Sequence, residues 1–197
     1  MEKVFLITGA GRGLGRKLAV ELAVRGAIIA ANDITPINVD EVVDLIIGRG
    51  GRAKSYIADV SKKIPVQAMI NEIIDDWGRI DVLVNHANVK PVKPILDMDE
   101  WDWRRTIDVN LTGAFLVMQS VGRVMAAQGW GVMVDLIDNS GKSPSIAHKT
   151  SMQALAALSD SAAEEFKAHN IQSHTIRLDP GTNQQDTIKF ILSTLNP

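Results

Sequence analysis

The 197-residue sequence predicts an α/β fold: a single doubly wound domain over residues 1–197, with a mostly parallel six-stranded sheet and helices on both faces. Three observations carry this expectation. Short β-branched runs alternate with longer amphipathic stretches, the pattern of βαβ units. A glycine-rich turn directly follows the first apolar run, as where a strand hands over to a helix around a phosphate. No repeat, low-complexity tract or shift in composition divides the chain, so one domain is expected.

The elements follow in order. Val4-Phe5-Leu6-Ile7-Thr8 has the unbroken apolarity of a buried first strand. Leu14 to Arg25 places Leu18 and Leu22 on one helical stripe and stops at Gly26. Ala27 to Asn32 is the second strand. Val39 to Ile47 is a helix stopped by Gly48-Arg49-Gly50-Gly51, and Ala53 to Ala58 is a third strand holding the chain's one tyrosine, Tyr56. Pro65 to Trp77 is a helix ended by Gly78, and Asp81 to Asn85 is the fourth strand. A loop over Asn88 to Pro94 leads into a long helix from about Trp101 to Ala127. Gly131 to Ile137 is strand five, His148 to Ala168 an alanine-rich helix, and Ile171 to Leu178 strand six, closed by Pro180-Gly181. Thr187 to Thr194 reads as a short terminal helix.

Composition narrows the function classes. Hydrophobic residues make up 46% and charged residues 22%, an ordinary soluble globular balance. The absence of Cys excludes disulfides, a thiol nucleophile and a cysteine zinc site, and suits a reducing, cytoplasmic setting. The net charge of -2 gives no basic footprint for nucleic acid. No apolar run approaches the ~18 residues of a membrane span. Met1-Glu2-Lys3 leads straight into the first strand, so no signal peptide is expected. No metal site is expected either: His86, His169 and His174 lack ligand spacing and read as structural or solvated. Trp77, Trp101, Trp103 and Trp130 read as packing anchors at helix ends, and Met118 and Met125 as core or interface.

The chemistry-bearing signal is Thr8-Gly9-Ala10-Gly11-Arg12-Gly13-Leu14-Gly15. It departs from G-x-G-x-x-G, since the third glycine of that pattern would fall on Arg16. The physics is nonetheless that of a Rossmann turn. Gly9 permits the turn, Gly13 lets a pyrophosphate approach the backbone, and Gly15 allows close helix–strand packing. The helix end supplies free N–H groups and the positive end of a dipole. Asp33 follows at the end of strand two, roughly 20 residues on, where an acid accepts the ribose hydroxyls of NAD and repels the 2′-phosphate of NADP. Arg12, a cation in the turn, pulls the other way, so NAD is favoured and NADP is the lesser expectation. A ligand-free turn and a merely capping Asp33 are the bland alternatives.

From Lys3 to Gly181 the chain resembles the short-chain dehydrogenase/reductase family. The resemblance rests on the turn, on Trp77-Gly78-Arg79-Ile80-Asp81-Val82-Leu83-Val84-Asn85, on Ile95-Leu96-Asp97-Met98-Asp99 and on Asp108-Val109-Asn110-Leu111-Thr112-Gly113. It implies cofactor contacts from Gly9, Arg12, Gly13, Leu14, Gly15 and Asp33. It also implies an adenine contact at Asp59-Val60, a cofactor loop Asn85-His86-Ala87-Asn88 with Asn85 and Ala87 at family positions, and the turn Pro180-Gly181. Asn88 replaces that loop's usual glycine, and Thr182-Asn183-Gln184-Gln185 replaces the pattern expected after the turn.

The resemblance further implies a catalytic set. A tyrosine in Y-x-x-x-K protonates the carbonyl while nicotinamide delivers hydride, the lysine assists it, a serine after strand five orients the substrate, and an asparagine anchors a water chain. Of these only Asn110 is kept. Asp138 takes the serine position, with Ser140 a weaker substitute and Gly141 supporting the register; His148 takes the tyrosine position and Met152 the lysine position. Asp186 to Ser193 already resembles the helix that follows the family's substrate lid, so the lid and a last strand are expected to be missing.

The first reading is therefore an NAD(H)-binding relative impaired in standard carbonyl/alcohol hydride transfer. It would be a homo-oligomer, or a partner of an active relative, joined through the helices Trp101–Ala127 and His148–Ala168. A second is an active NAD-dependent enzyme in which His148, oriented and charged by Asp138, replaces the tyrosine. A third is an assembly protein that no longer binds nucleotide.

Overall fold

A computed structural model describes residues 3–139, 145–181 and 183–193. Six strands form one sheet in the order β3-β2-β1-β4-β5-β6: β1 Val4–Thr8, β2 Ile28–Asp33, β3 Arg52–Ile57, β4 Val82–Asn85, β5 Gly131–Asp138 and β6 Ile171–Leu178. The sequence led us to expect a mostly parallel sheet; every pairing observed is parallel. The order reverses at β1, which lies between β2 and β4, so the crevice at its C-terminal end is the doubly wound switch point.

Residue alternation distributes each strand between two helical layers. Phe5, Ile7, Ile29, Ala31, Val82 and Val84 face helices α1 Gly13–Val24, α2 Pro36–Gly48 and α7 Gln184–Ser193. Val4, Leu6, Ala30, Leu83 and Met133 face α3 Lys63–Trp77 and α5 Ala114–Gln128. Helix α6, Ile146–Phe166, packs Met152, Leu155 and Ala156 against Ile137 and Ala114. Met118 and Met125 are buried in the second layer. Tyr56 is fully buried, and its hydroxyl donates to Asp76 at 2.7 Å while accepting from Trp77 Nε1 at 2.8 Å. Burial and the Asp76 carboxylate push its ionisation well above the usual tyrosine range. Its proton thus serves packing between β3 and α3.

Several boundaries differ from the expectation, each for a local reason. Helix α2 starts at Pro36 rather than Val39, because proline at the first turn is pre-set for a helix. Helix α6 starts at Ile146 rather than His148, because the Ser145 side chain accepts from the His148 N–H and caps it. Helix α7 starts at Gln184 rather than Thr187, because Asn183 receives the Gln185, Asp186 and Thr187 amides. The long helix expected over Trp101–Ala127 is α4 Glu100–Ile107 running into α5 through one π turn, Asp108–Gly113. That turn carries Asn110.

One buried acid ties three elements together. Asp135 on β5 is fully buried, and its Oδ1 accepts from Asn85 Nδ2 of β4 at 2.8 Å. Its Oδ2 lies 2.8 Å from Ser159 Oγ on α6, and that same Oγ lies 2.9 Å from the Leu155 carbonyl oxygen. Burial pushes the Asp135 carboxyl above its ordinary value, against the lowering effect of Asn85 and Ser159. A serine hydroxyl has one proton. That proton serves either the Asp135 carboxyl or the Leu155 carbonyl, not both at once.

Candidate nucleotide site

The turn after β1 is built by close approaches. Gly9 has φ +67°, and a Cβ there would lie 2.9 Å from the Ala87 backbone. A Cβ on Gly15 would lie 2.1 Å from the Gly9 carbonyl oxygen, so strand and helix meet with no room for a methyl group. Gly13, at φ +57°, instead has open space where a side chain would be. No acidic residue occupies the first turn of α1, so no carboxylate within that turn offsets the positive helix end.

Asp33 stands behind this turn. Its Oδ2 accepts from Gly11 N–H at 3.0 Å and its Oδ1 from Thr35 N–H at 3.0 Å. The carboxylate therefore holds the turn and still presents lone pairs to the crevice. Beyond it, Asp59 Oδ1 accepts from the Ser61 amide and hydroxyl at 2.9 and 2.7 Å, which fixes the segment that carries Val60.

A cavity of about 730 Å³ opens at the switch point. Of the residues singled out from the sequence, Gly9, Arg12, Gly13, Leu14, Asp33, Asp59, Val60, Ala87 and Asp138 line it. Gly15 lies beneath the turn. Asn85 is buried with Asp135, and Pro180 and Gly181 are exposed outside the cavity, where Leu178 forms the wall instead. Ser140, Gly141 and Thr182 lie outside the described residues. The sequence did not single out Lys90 or Arg105, which also line the cavity, and Trp101, expected as a packing anchor, is instead exposed on the cavity wall. Arg105 lies on a helix that no site motif marks, and Lys90, in a loop, carried no periodic signal. His86 Nδ1 is buried at the turn without a hydrogen-bond partner, and burial pushes the imidazole below its ordinary value.

The residues present fit a dinucleotide. A helix N-terminus and Arg12 suit a pyrophosphate, the open side of Gly13 lets it close on the backbone, and Asp33 suits a ribose. The volume falls within the range of small-molecule sites.

The family's catalytic positions lie deeper. Asn110 accepts from Val89 N–H at 2.7 Å and donates to the Val89 carbonyl at 3.0 Å and to Ser151 Oγ at 2.9 Å. His148 is 1% exposed. Its Nε2 donates to the Asp138 backbone carbonyl at 2.7 Å, and its Nδ1 is 3.3 Å from the Val89 carbonyl oxygen. Met152, also buried, presents its sulfur to the Asp138 N–H at 3.3 Å. One turn of α6 thus grips both backbone groups of Asp138.

The expected pairing of the Asp138 carboxylate with His148 is corrected by this geometry. His148 meets the Asp138 carbonyl, while the Asp138 side chain turns into the cavity and reaches Lys90 Nζ at 3.3 Å. A residue at the end of a strand points its carbonyl and its side chain in different directions, and here α6 takes the carbonyl. Among the described residues no group of three or more His, Asp or Glu side chains is placed to hold a metal, and no helix is long and apolar enough to cross a membrane.

Fold and crevice together are those of an α/β protein of the doubly wound class. The short chain dehydrogenase family model matches residues 3–187, and the chain belongs to that family of oxidoreductases. An uncharacterized oxidoreductase of Thermotoga maritima is 35% identical over 93% of this chain and 73% of its own length. The (2S)-[(R)-hydroxy(phenyl)methyl]succinyl-CoA dehydrogenase subunit BbsD of Thauera aromatica is 38% identical over 68% of this chain, which spans only 54% of that relative. Among solved structures, an NAD+-bound xylitol dehydrogenase superposes with a TM-score of 0.85 at 30% identity, covering 94% of this chain and 74% of that one. A metagenomic short-chain oxidoreductase in complex with NADP superposes at 0.88 with 28% identity, covering 99% and 90%. The fold is therefore one that takes nicotinamide cofactors.

Proposed function

We propose that this chain binds NAD(H) in the switch-point cavity and does not carry out standard carbonyl/alcohol hydride transfer, serving as a non-catalytic subunit of an oligomer. One observation carries the reading. His148 and Met152, at the family's tyrosine and lysine positions, are buried and spend their polar atoms on the backbone of Asp138. Neither lines the main cavity. A bound nicotinamide would supply a hydride carrier, but a positioned general acid is worth roughly 10²–10⁴ in rate, and Met152 has no charge to assist one. The one tyrosine is locked between Asp76 and Trp77. Helix α7 begins at Gln184, leaving little chain after the Pro180-Gly181 turn to cover a substrate.

Asp33 supports NAD over NADP, since a carboxylate at the end of strand two repels the 2′-phosphate of NADP. Trp103, Phe115 and Ile146 are exposed apolar residues on the helices expected to carry an interface, which supports assembly with a second copy or with an active relative. The test is turnover by the purified chain on a panel of carbonyl/alcohol pairs with NAD(H), alongside light scattering. The expected results are no turnover above background and a dimer or larger. Turnover that disappears in His148→Ala would overturn the first part, and a clean monomer the second.

A further inference from the structure

The cavity has a charged corner over the ends of β4 and β5. Lys90, in the loop after β4, and Asp138, at the end of β5, both line it, with Nζ and Oδ2 3.3 Å apart and side chains 26% and 17% exposed. Their backbones are held on every side. Met152 and His148 take the Asp138 N–H and carbonyl. Asn110 takes both the N–H and the carbonyl of Val89, the residue before Lys90. Two paired charged side chains thus spring from fixed backbone, the arrangement of a preorganised polar contact.

Its position along the ligand follows from the sheet. The Gly9–Gly15 turn and Asp33 serve the β1–β2 side of the switch point. A dinucleotide crosses the crevice, so the half beyond the pyrophosphate lies over the ends of β4 and β5. The first polar group there is a second ribose, whose adjacent hydroxyls both donate and accept. A carboxylate and an ammonium side by side match that pair.

We propose that Lys90 and Asp138 bind the hydroxyls of the second ribose, the sugar remote from adenine, and so select dinucleotides over adenine mononucleotides. This rests on the nucleotide-binding reading above. Asp138 accepts from one hydroxyl and Lys90 donates to the other, the ion pair opening to admit them.

The test compares ADP with ADP-ribose, which differ by that sugar, on the full chain by calorimetry. The wild type is expected to bind ADP-ribose at least tenfold more tightly than ADP. In Lys90→Met and in Asp138→Asn, which keeps the backbone grip, ADP affinity is expected to stay within twofold of wild type while the ADP-ribose advantage falls to about threefold or less. Variants that keep the full advantage overturn the proposal while leaving the nucleotide reading intact. A wild type that binds neither ligand overturns the nucleotide reading, and the ribose contact with it. Two single variants, each checked for a wild-type unfolding transition, guard against a folding artefact in either.

Discussion

Replacing Asp135 separates a neutral buried acid from a charged one. Its two oxygens meet Asn85 Nδ2 and Ser159 Oγ, and among the described residues no cation pairs with it. Asp135→Asn keeps the geometry: its oxygen accepts from Asn85 and its NH₂ donates to Ser159, which then donates to Leu155. Asp135→Leu strands the Asn85 amide in the core, at about 1–3 kcal/mol. Against an m-value of about 1–3 kcal/mol per molar in urea, that moves the midpoint down by roughly 1 M. The pH dependence has a definite sign. The folded carboxyl is raised by burial, whereas the unfolded one ionises near pH ~3.9. Below that pH both states hold the proton and the wild type keeps its full contribution. As pH rises, the unfolded state sheds the proton while the folded state retains it, so the wild type loses stability until the folded carboxyl itself ionises. Asp135→Asn has no such loss. Urea unfolding from pH 4.5 to 8 should show its advantage over wild type smallest at the acid end and widening toward the alkaline end, with Asp135→Leu well below both in acid. A wild type and Asn variant that differ by a constant amount at every pH, or an Asn variant as weak as the Leu one, would refute the neutral acid.

Other substitutions probe the turn and the lone tyrosine. Gly15→Ala forces a methyl against the Gly9 carbonyl; it should cost about 1–3 kcal/mol in urea unfolding and weaken NADH binding by tenfold or more. Asp33→Ala removes the acceptor for Gly11 and Thr35 and the ribose contact, so fluorescence titration should show NADH affinity falling more than NADPH affinity. Tyr56→Phe breaks the Trp77 and Asp76 hydrogen bonds; it should lower stability by about 1 kcal/mol and leave NADH affinity unchanged.

The parts of the fold that follow from periodicity were legible. Val4 to Thr8, Ile171 to Leu178 and the Gly78 stop stand where the apolar runs and breakers put them. The starts of α2 and α6 were missed because apolar spacing outweighed Pro36 and Ser145, both ordinary start signals. The π turn at Asp108–Gly113 was missed because the whole segment was read at one helical pitch, and six residues are too few to establish a second one. The cofactor turn and Asp33 could be read because local backbone chemistry fixes them. The grip of His148 and Met152 on Asp138 could not, because it depends on how α6 meets the end of β5 across the tertiary fold. For the same reason Lys90 was invisible. Its partner is 48 residues away, and a lone lysine in a proline-bearing loop reads as solvated surface.

Nucleotide binding at the switch point is tested most directly by titrating the purified chain with NADH and NADPH and following nicotinamide fluorescence. Saturable NADH binding, tighter than NADPH and lost in Gly15→Ala, is the expected result. Binding of neither nucleotide at millimolar concentration would contradict the proposed site, and tighter binding of NADPH would contradict the role given to Asp33.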